Sequence, residues 1–122
     1  MFARRFVTVL PEKLDVEAMR RAAAYLEGEH DFSAFCGNPK FKKSTVRTVS
    51  SVRIERMNEE LHISFTGDGF IYNQVRIMVG TLIEVGRGER KADSIPDLFG
   101  GKREQAGFLA PAQGLCLMEV VY

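Results

Sequence analysis

The sequence predicts an α+β fold, and three observations carry that expectation. Short β-prone runs open and close the chain, two alternating runs lie near its centre, and two apolar stripes at helical spacing separate them. The first run, Phe6-Val-Thr-Val-Leu10, ends at Pro11, which cannot donate to a sheet ladder. A helix is expected over about 15–27, with Asp15 as N-cap, Leu14 and Met19 as a hydrophobic staple, and Glu17 favourable to the dipole. Met19, Ala22, Ala23 and Leu26 recur along one face, and Gly28 supplies a stop. From His30 to Ser44 there is no period. Gly37-Asn38-Pro39 marks a turn there, ahead of the basic Lys40-Phe-Lys-Lys43 run.

Val46 to Met57 reads as a strand whose alternation changes phase. Val46, Thr48, Val52 and Ile54 share one parity and Val49 falls on the other, so either both faces are partly apolar near Thr48 or a bulge sits near Ser50 and Ser51. Asn58-Glu59-Glu60 is a hairpin connection. Leu61, Ile63 and Phe65 then alternate with His62, Ser64 and Thr66, giving one buried and one wet face. After the Gly67-Asp68-Gly69 break, Ile71, Val75, Met78, Val79, Leu82 and Val85 form the stripe of a second helix that Gly86 and Gly88 end. Ser94 caps a short helical turn from Ile95 to Phe99, with Pro96 in its first turn, and Gly100 to Ala112 is a loop. Leu115 to Tyr122 is a last strand, apolar on both faces except Glu119, and is expected inside the sheet or covered on both sides. The order β-α-β-β-α-β favours an antiparallel sheet with both long helices on one face, as in ferredoxin-like α+β domains.

At 122 residues, with 45% hydrophobic and 27% charged residues, the chain suits one globular domain and is too apolar to be disordered. No apolar run approaches the roughly 18 residues of a membrane helix, and the basic start from Met1 to Arg5 lacks the apolar stretch of a signal peptide. A cytoplasmic protein without membrane partners is expected. Cys36 and Cys116 have only His30 and His62 as further soft ligands and no clustered pairing, so two buried reduced thiols are expected rather than a zinc site. The net charge is +1 but unevenly spread. Residues 1–35 carry −1, residues 36–56 carry +5, and residues 57–122 carry −3. The +5 segment fits a polyanion footprint, and on composition alone it fits a solvated loop and strand face equally.

Local motifs for chemistry are sparse. Tyr72 stands where Gly-x-Gly-x-x-Gly would need its third glycine, and no phosphate-loop sequence occurs, so Gly67-Asp-Gly69 reads as a turn, with Asp68 a helix cap in preference to an acid. His30, Asp31 and Ser33 are neighbours in sequence, which does not make a triad. Arg76 needs more explanation. At about 100° per residue it borders the apolar stripe of the second helix, one turn after Tyr72 and next to Val75. It either snorkels to water or pairs with a carboxylate or phosphate in a partly buried place.

Four blocks resemble the tRNA pseudouridine synthase A family. They are Gly28-Glu-His-Asp-Phe-Ser-Ala-Phe35, Thr45-Val-Arg-Thr48, Gly67-Asp-Gly-Phe-Ile-Tyr-Asn-Gln-Val-Arg-Ile-Met-Val-Gly-Thr-Leu-Ile-Glu-Val-Gly-Arg-Gly88, and Ala106-Gly-Phe-Leu-Ala-Pro-Ala-Gln-Gly-Leu115. They follow the family's order and separations. The resemblance covers the family's second half only, so it implies that residues 1–122 are a C-terminal domain. The family's catalytic aspartate lies in the first half, in an Arg-Thr-Asp-type motif, and none of Asp15, Asp31, Asp68, Asp93 and Asp97 has that setting. The chain is thus expected to be a truncated or split piece, inactive alone and completed by an N-terminal catalytic half in cis or as a separate chain.

Carried over by residue, Val75-Arg76 matches the third active-site motif, in which the basic residue pairs with the catalytic aspartate and the apolar one packs on the base. A cationic partner keeps a desolvated carboxylate ionised and aimed, as a nucleophile must be. Gln74 departs from the family's frequent Met, on what counts as the polar side of the helix, and Arg103 resembles a basic position without a clear part in the reaction. The implied reaction is isomerisation of uridine to pseudouridine at positions 38–40 of the tRNA anticodon arm, by a homodimer, with no cofactor and no metal. Reaching a paired uridine requires extruding it, and Lys40, Lys42, Lys43 and Arg47 are the candidates for the compensating backbone contacts. Arg87, Arg90 and Lys91 are alternative phosphate contacts and are read equally well as solvated surface.

Two other classes compete with that reading. One is a non-catalytic RNA-binding α+β domain, although His62, Ser64 and Thr66 do not resemble the aromatic platform of an RNA recognition motif. The other is a small-molecule-sensing or dimerising domain, which would leave Arg76 and the lysines without purpose.

Overall fold

The computed structural model describes residues 4–11, 14–38, 44–57, 60–67, 69–70, 73–107 and 118–121. Arg4–Pro11 forms strand β1, and Pro11 ends its ladder opposite Glu60. Helix α1, Val16–Leu26, starts at Asp15, whose carboxylate accepts the Ala18 N–H at 3.2 Å. Its stripe of Met19, Ala22, Ala23 and Leu26 is buried as the spacing requires. Glu27 is extended, and Gly28, at φ +106°, turns the chain directly into a second strand.

That strand, β2 (Gly28–Asp31), falls in the stretch where the sequence shows no period. Four residues are too few to display one, and pairing creates the strand: Gly28 to Asp31 lie antiparallel to Val49 to Val46 of β3 (Val46–Met57). Strand β4 (Glu60–Gly67) pairs with β3 on one side and β1 on the other. The β3–β4 register shifts between Val49 and Ser51, so the phase change in the sequence is a bulge at Ser50. The extra residue turns Val49 to the same buried side as Val52 and Ile54. Leu61, Ile63 and Phe65 of β4 are fully buried, whereas His62, Ser64 and Thr66 are half-exposed.

Helix α2 spans Gln74–Gly86, and β5 (Met118–Val121) pairs with Arg4–Val7 of β1. Among the described residues the sheet has five antiparallel strands in the order β2-β3-β4-β1-β5. The apolar last strand therefore stands at an edge and not inside the sheet. The rest of that expected strand, residues 115–117 with Cys116 and Tyr122, lies outside the described residues, as does Ile71. Before β5 the chain forms 3-10 turns over Ala92–Leu98, slightly earlier than Ser94 suggests, and over Arg103–Gln105 inside the expected loop.

The core lies where α1, α2 and the apolar faces of β3 and β4 meet. The helices are tied end to end, since the Asp15 N–H donates to the Gly86 carbonyl at 2.9 Å. A satellite cluster joins β2 to residues 99–101: His30 stacks on Phe99 at 3.9 Å, Phe32 packs edge-on against Phe35 and Phe99, and the Ser33 hydroxyl donates to the Gly101 carbonyl at 2.8 Å. Asp31 accepts from the Ser33 N–H and from the Thr45 hydroxyl. His30, Asp31 and Ser33 are thus structural, each occupied in joining neighbouring segments.

The second helix is not amphipathic in the expected sense. Of its residues only Arg76 and Glu84 escape full burial. Gln74, counted on the polar side, is 0% exposed, with its amide nitrogen 4.0 Å from the Met78 sulfur. The reason is that α2 has neighbours all round: α1, the turn at Ser33–Phe35, and the segment ending at Gly107.

Candidate functional site

The first turn of α2 is where the structure gathers the sequence motifs. Asn73 enters the helix in the left-handed region (φ 61°, ψ 11°), a conformation that asparagine tolerates better than most residues. Its carbonyl accepts the Ile77 N–H at 3.0 Å, so the helical ladder starts there. Gln74 and Val75 turn into the core, and Arg76 follows as the half-exposed residue of that turn. A cation flanked by buried residues has its stem desolvated and its head steered in a narrow range of directions.

The turn ahead of the lysine cluster lies against this helix start. A side chain at Gly37 would put its Cβ 2.9 Å from the Asn73 amide nitrogen and 3.0 Å from the Asn73 Cβ, so the Asn73 side chain would have to shift to admit it. Cys36 beside it is a buried free thiol whose sulfur donates to the Asn38 carbonyl at 3.4 Å. Lys40, Lys42, Lys43 and Tyr72 lie outside the described residues, as does Asp68. The chain re-enters at Ser44, and Arg47 stands on β3 in register with His30, its guanidinium donating to the Ser44 and Val46 carbonyls at 2.7 Å. The 36–38 turn is therefore brought against Asn73, two residues before Val75, and Arg47 is engaged by the carbonyls of Ser44 and Val46.

The flank of α2 carries side-chain contacts that the sequence did not reveal. Thr81 is fully buried, donates its hydroxyl proton to the Ile77 carbonyl at 2.8 Å, and accepts the Gly107 N–H at 2.9 Å. Arg103 donates to the Gly107 carbonyl at 2.8 Å. Arg90 bonds Glu84 at 3.1 Å and the Gln105 carbonyl at 2.9 Å, so it is a tether and not a solvated surface cation. A threonine inside the otherwise apolar run Ile77–Ile83 was the available signal, but its partner 26 residues away was not.

Among the described residues no group of His, Cys, Asp or Glu is placed to hold a metal ion, and no helix is long and apolar enough to cross a membrane. A family model described as tRNA pseudouridine synthase matches residues 22–122. The chain is 51% identical over 111 residues to the tRNA pseudouridine synthase A of Acetivibrio thermocellus, covering 90% of this chain and 46% of that protein. It is 44% identical over 123 residues to that of Brevibacillus brevis, covering 100% and 50%, and 50% identical over 121 residues to that of Syntrophotalea carbinolica, covering 98% and 48%. The chain spans about half the length of the curated relatives it matches. With the match taking in both the turn at Gly37 and the whole of α2, the chain belongs to the tRNA pseudouridine synthase family.

Proposed function

We propose that residues 1–122 act as the C-terminal half of a tRNA pseudouridine synthase, converting uridine to pseudouridine at positions 38–40 of the anticodon arm. In this reading Arg76 is the ionic partner of an aspartate that an N-terminal half supplies, and Val75 and Tyr72 bear on the target base. Lys40, Lys42, Lys43 and Arg47 hold the RNA backbone. The aspartate attacks the nucleotide, the glycosidic C–N bond breaks, and the base turns and reattaches through carbon. The aspartate is released, that ring carbon gives up its proton and the freed ring nitrogen takes one up, while Arg76 keeps the attacking carboxylate ionised. The fold that goes with it is ferredoxin-like, supported by the strand order β3-β4-β1-β5, with β2 added outside β3. The whole enzyme works in the cytoplasm as a homodimer.

The observation that carries the reading is the state of Arg76, a half-exposed cation in the first turn of a helix otherwise buried but for Glu84. The test is a chimera in which residues 1–122 replace the matching half of the Brevibacillus brevis relative, assayed for pseudouridine in an anticodon-arm transcript. The chimera is expected to turn over, and the 122-residue chain alone is not. Losing one member of a buried ion pair costs about 3–5 kcal/mol, so Arg76→Ala is expected to lower turnover by at least about a hundredfold with an unchanged circular dichroism spectrum. Near-normal turnover by a folded Arg76→Ala chimera would remove this arginine from the reaction centre.

A further inference from the structure

We infer that Thr81 is a positioning residue, and that with Arg103 it clamps the chain at Gly107 to the flank of α2 so that Arg76 keeps its aim. The inference rests on the reading of Arg76 given above and adds the device that holds its helix. Gly107 has both backbone groups taken by side chains: its N–H by the Thr81 hydroxyl and its carbonyl by Arg103. The hydroxyl serves both ways, with its single proton on Ile77 and one of its lone pairs toward Gly107.

The approach is as close as a backbone allows. A Cβ on Gly107 would lie 2.5 Å from both the Thr81 nitrogen and its Cα, so no other residue fits without displacing the helix or the loop. The 3-10 turn Arg103–Gln105 leads straight into this contact and is fixed a second time by Arg90, which bridges Glu84 of α2 and the Gln105 carbonyl. Contacts at Thr81 and Glu84 thus fasten one turn of α2 to the loop, while the bond from Thr81 to Ile77 orients the hydroxyl within the helix. A helix held there cannot slide or roll without breaking them. Arg76 rides on the same rigid element, one residue before Ile77, so its direction is set partly by a loop about thirty residues further on. Misplacing a catalytic group by about 1 Å costs on the order of a hundredfold in rate.

Thr81→Val keeps the shape and removes the hydroxyl, while Thr81→Ser keeps the hydroxyl. Amide hydrogen exchange in the 122-residue chain is expected to accelerate at Gly107 by about tenfold or more in Thr81→Val, with Thr81→Ser near the parent. In the chimera, Thr81→Val is expected to lower kcat by roughly ten- to a hundredfold with KM within about threefold, and Thr81→Ser to restore kcat. An unchanged Gly107 exchange rate in Thr81→Val would overturn the clamp. An unchanged kcat, or an equal loss in both variants, would overturn the positioning role. Should Arg76→Ala leave turnover intact, the reading of the site fails and the positioning role with it, while the exchange rates still decide the clamp.

Discussion

Tyr25 shows how a single surface residue reports on its neighbours. From α1 its hydroxyl reaches Asp93 in the Ala92–Leu98 turn at 3.2 Å. The hydrogen bond to that carboxylate raises the phenol's pKa above 10.0, the negative charge adds to the effect, and Arg21 opposes it. A raised phenol pKa favours the neutral form in the folded chain. The contact therefore contributes fully below pH 10 and weakens progressively as pH rises through the folded value. In an NMR titration of the tyrosine rings, Tyr25 is expected to ionise above an ordinary tyrosine, and Asp93→Asn to bring its midpoint down. The same scale explains Gln74, which helical counting puts on the polar side although it is buried, because counting gives a residue's direction and not what lies there. Helical spacing placed Arg76 at the border of the buried stripe beside Val75, as the burial shows, whereas the role expected of the pair comes from the resemblance alone. The Thr81–Gly107 bond was not legible, because neither residue announces a partner so distant in sequence.

Element by element, the exposed side of β3 shows how α1 and the sheet are fitted together. Strand β2 covers β3 only as far as Val49. Beyond it, Glu27 accepts the Val52 N–H at 2.9 Å, and two nitrogens of Arg20 donate to the Ile54 carbonyl at 3.2 and 3.1 Å. These α1 side chains occupy backbone groups that would otherwise invite another strand. A carboxylate at the C-terminal end of a helix is disfavoured by the dipole by about 0.3–1 kcal/mol, whereas a part-buried N–H left unpaired costs about 1–3 kcal/mol. Glu27→Ala is therefore expected to destabilise the chain by about 1 kcal/mol in urea unfolding, and Glu27→Gln, which keeps an acceptor and drops the charge, to stay within about 0.5 kcal/mol of the parent. No destabilisation by Glu27→Ala would mean that water serves Val52 equally well. The bulge at Ser50 was visible in the sequence because an extra residue must shift the parity of every apolar position after it. Strand β2 and the edge place of β5 were not, since a strand's neighbours follow from which edge is open, and composition does not record that.

Over the whole molecule the charge is close to balance, yet residues 36–56 hold +5 against −1 before them and −3 after. The segment leaves the described structure at Asn38, just past the glycine set against Asn73, and returns at Ser44, ahead of β3. In the proposed function its lysines contact an RNA backbone, and such contacts contribute affinity through released counterions and little sequence preference. If the three lysines meet phosphates, replacing all of them with alanine lowers the salt slope by about 0.7–0.9 for each phosphate no longer neutralised, roughly two units together. Binding of anticodon-arm RNA by the chimera, followed from low to moderate salt, is the measurement. The expected result is a flatter slope for the triple variant, with the two affinities converging as salt rises. A slope equal to the parent's, with affinity unchanged at low salt, would assign the +5 segment to solvated surface and leave the RNA to be held by other residues.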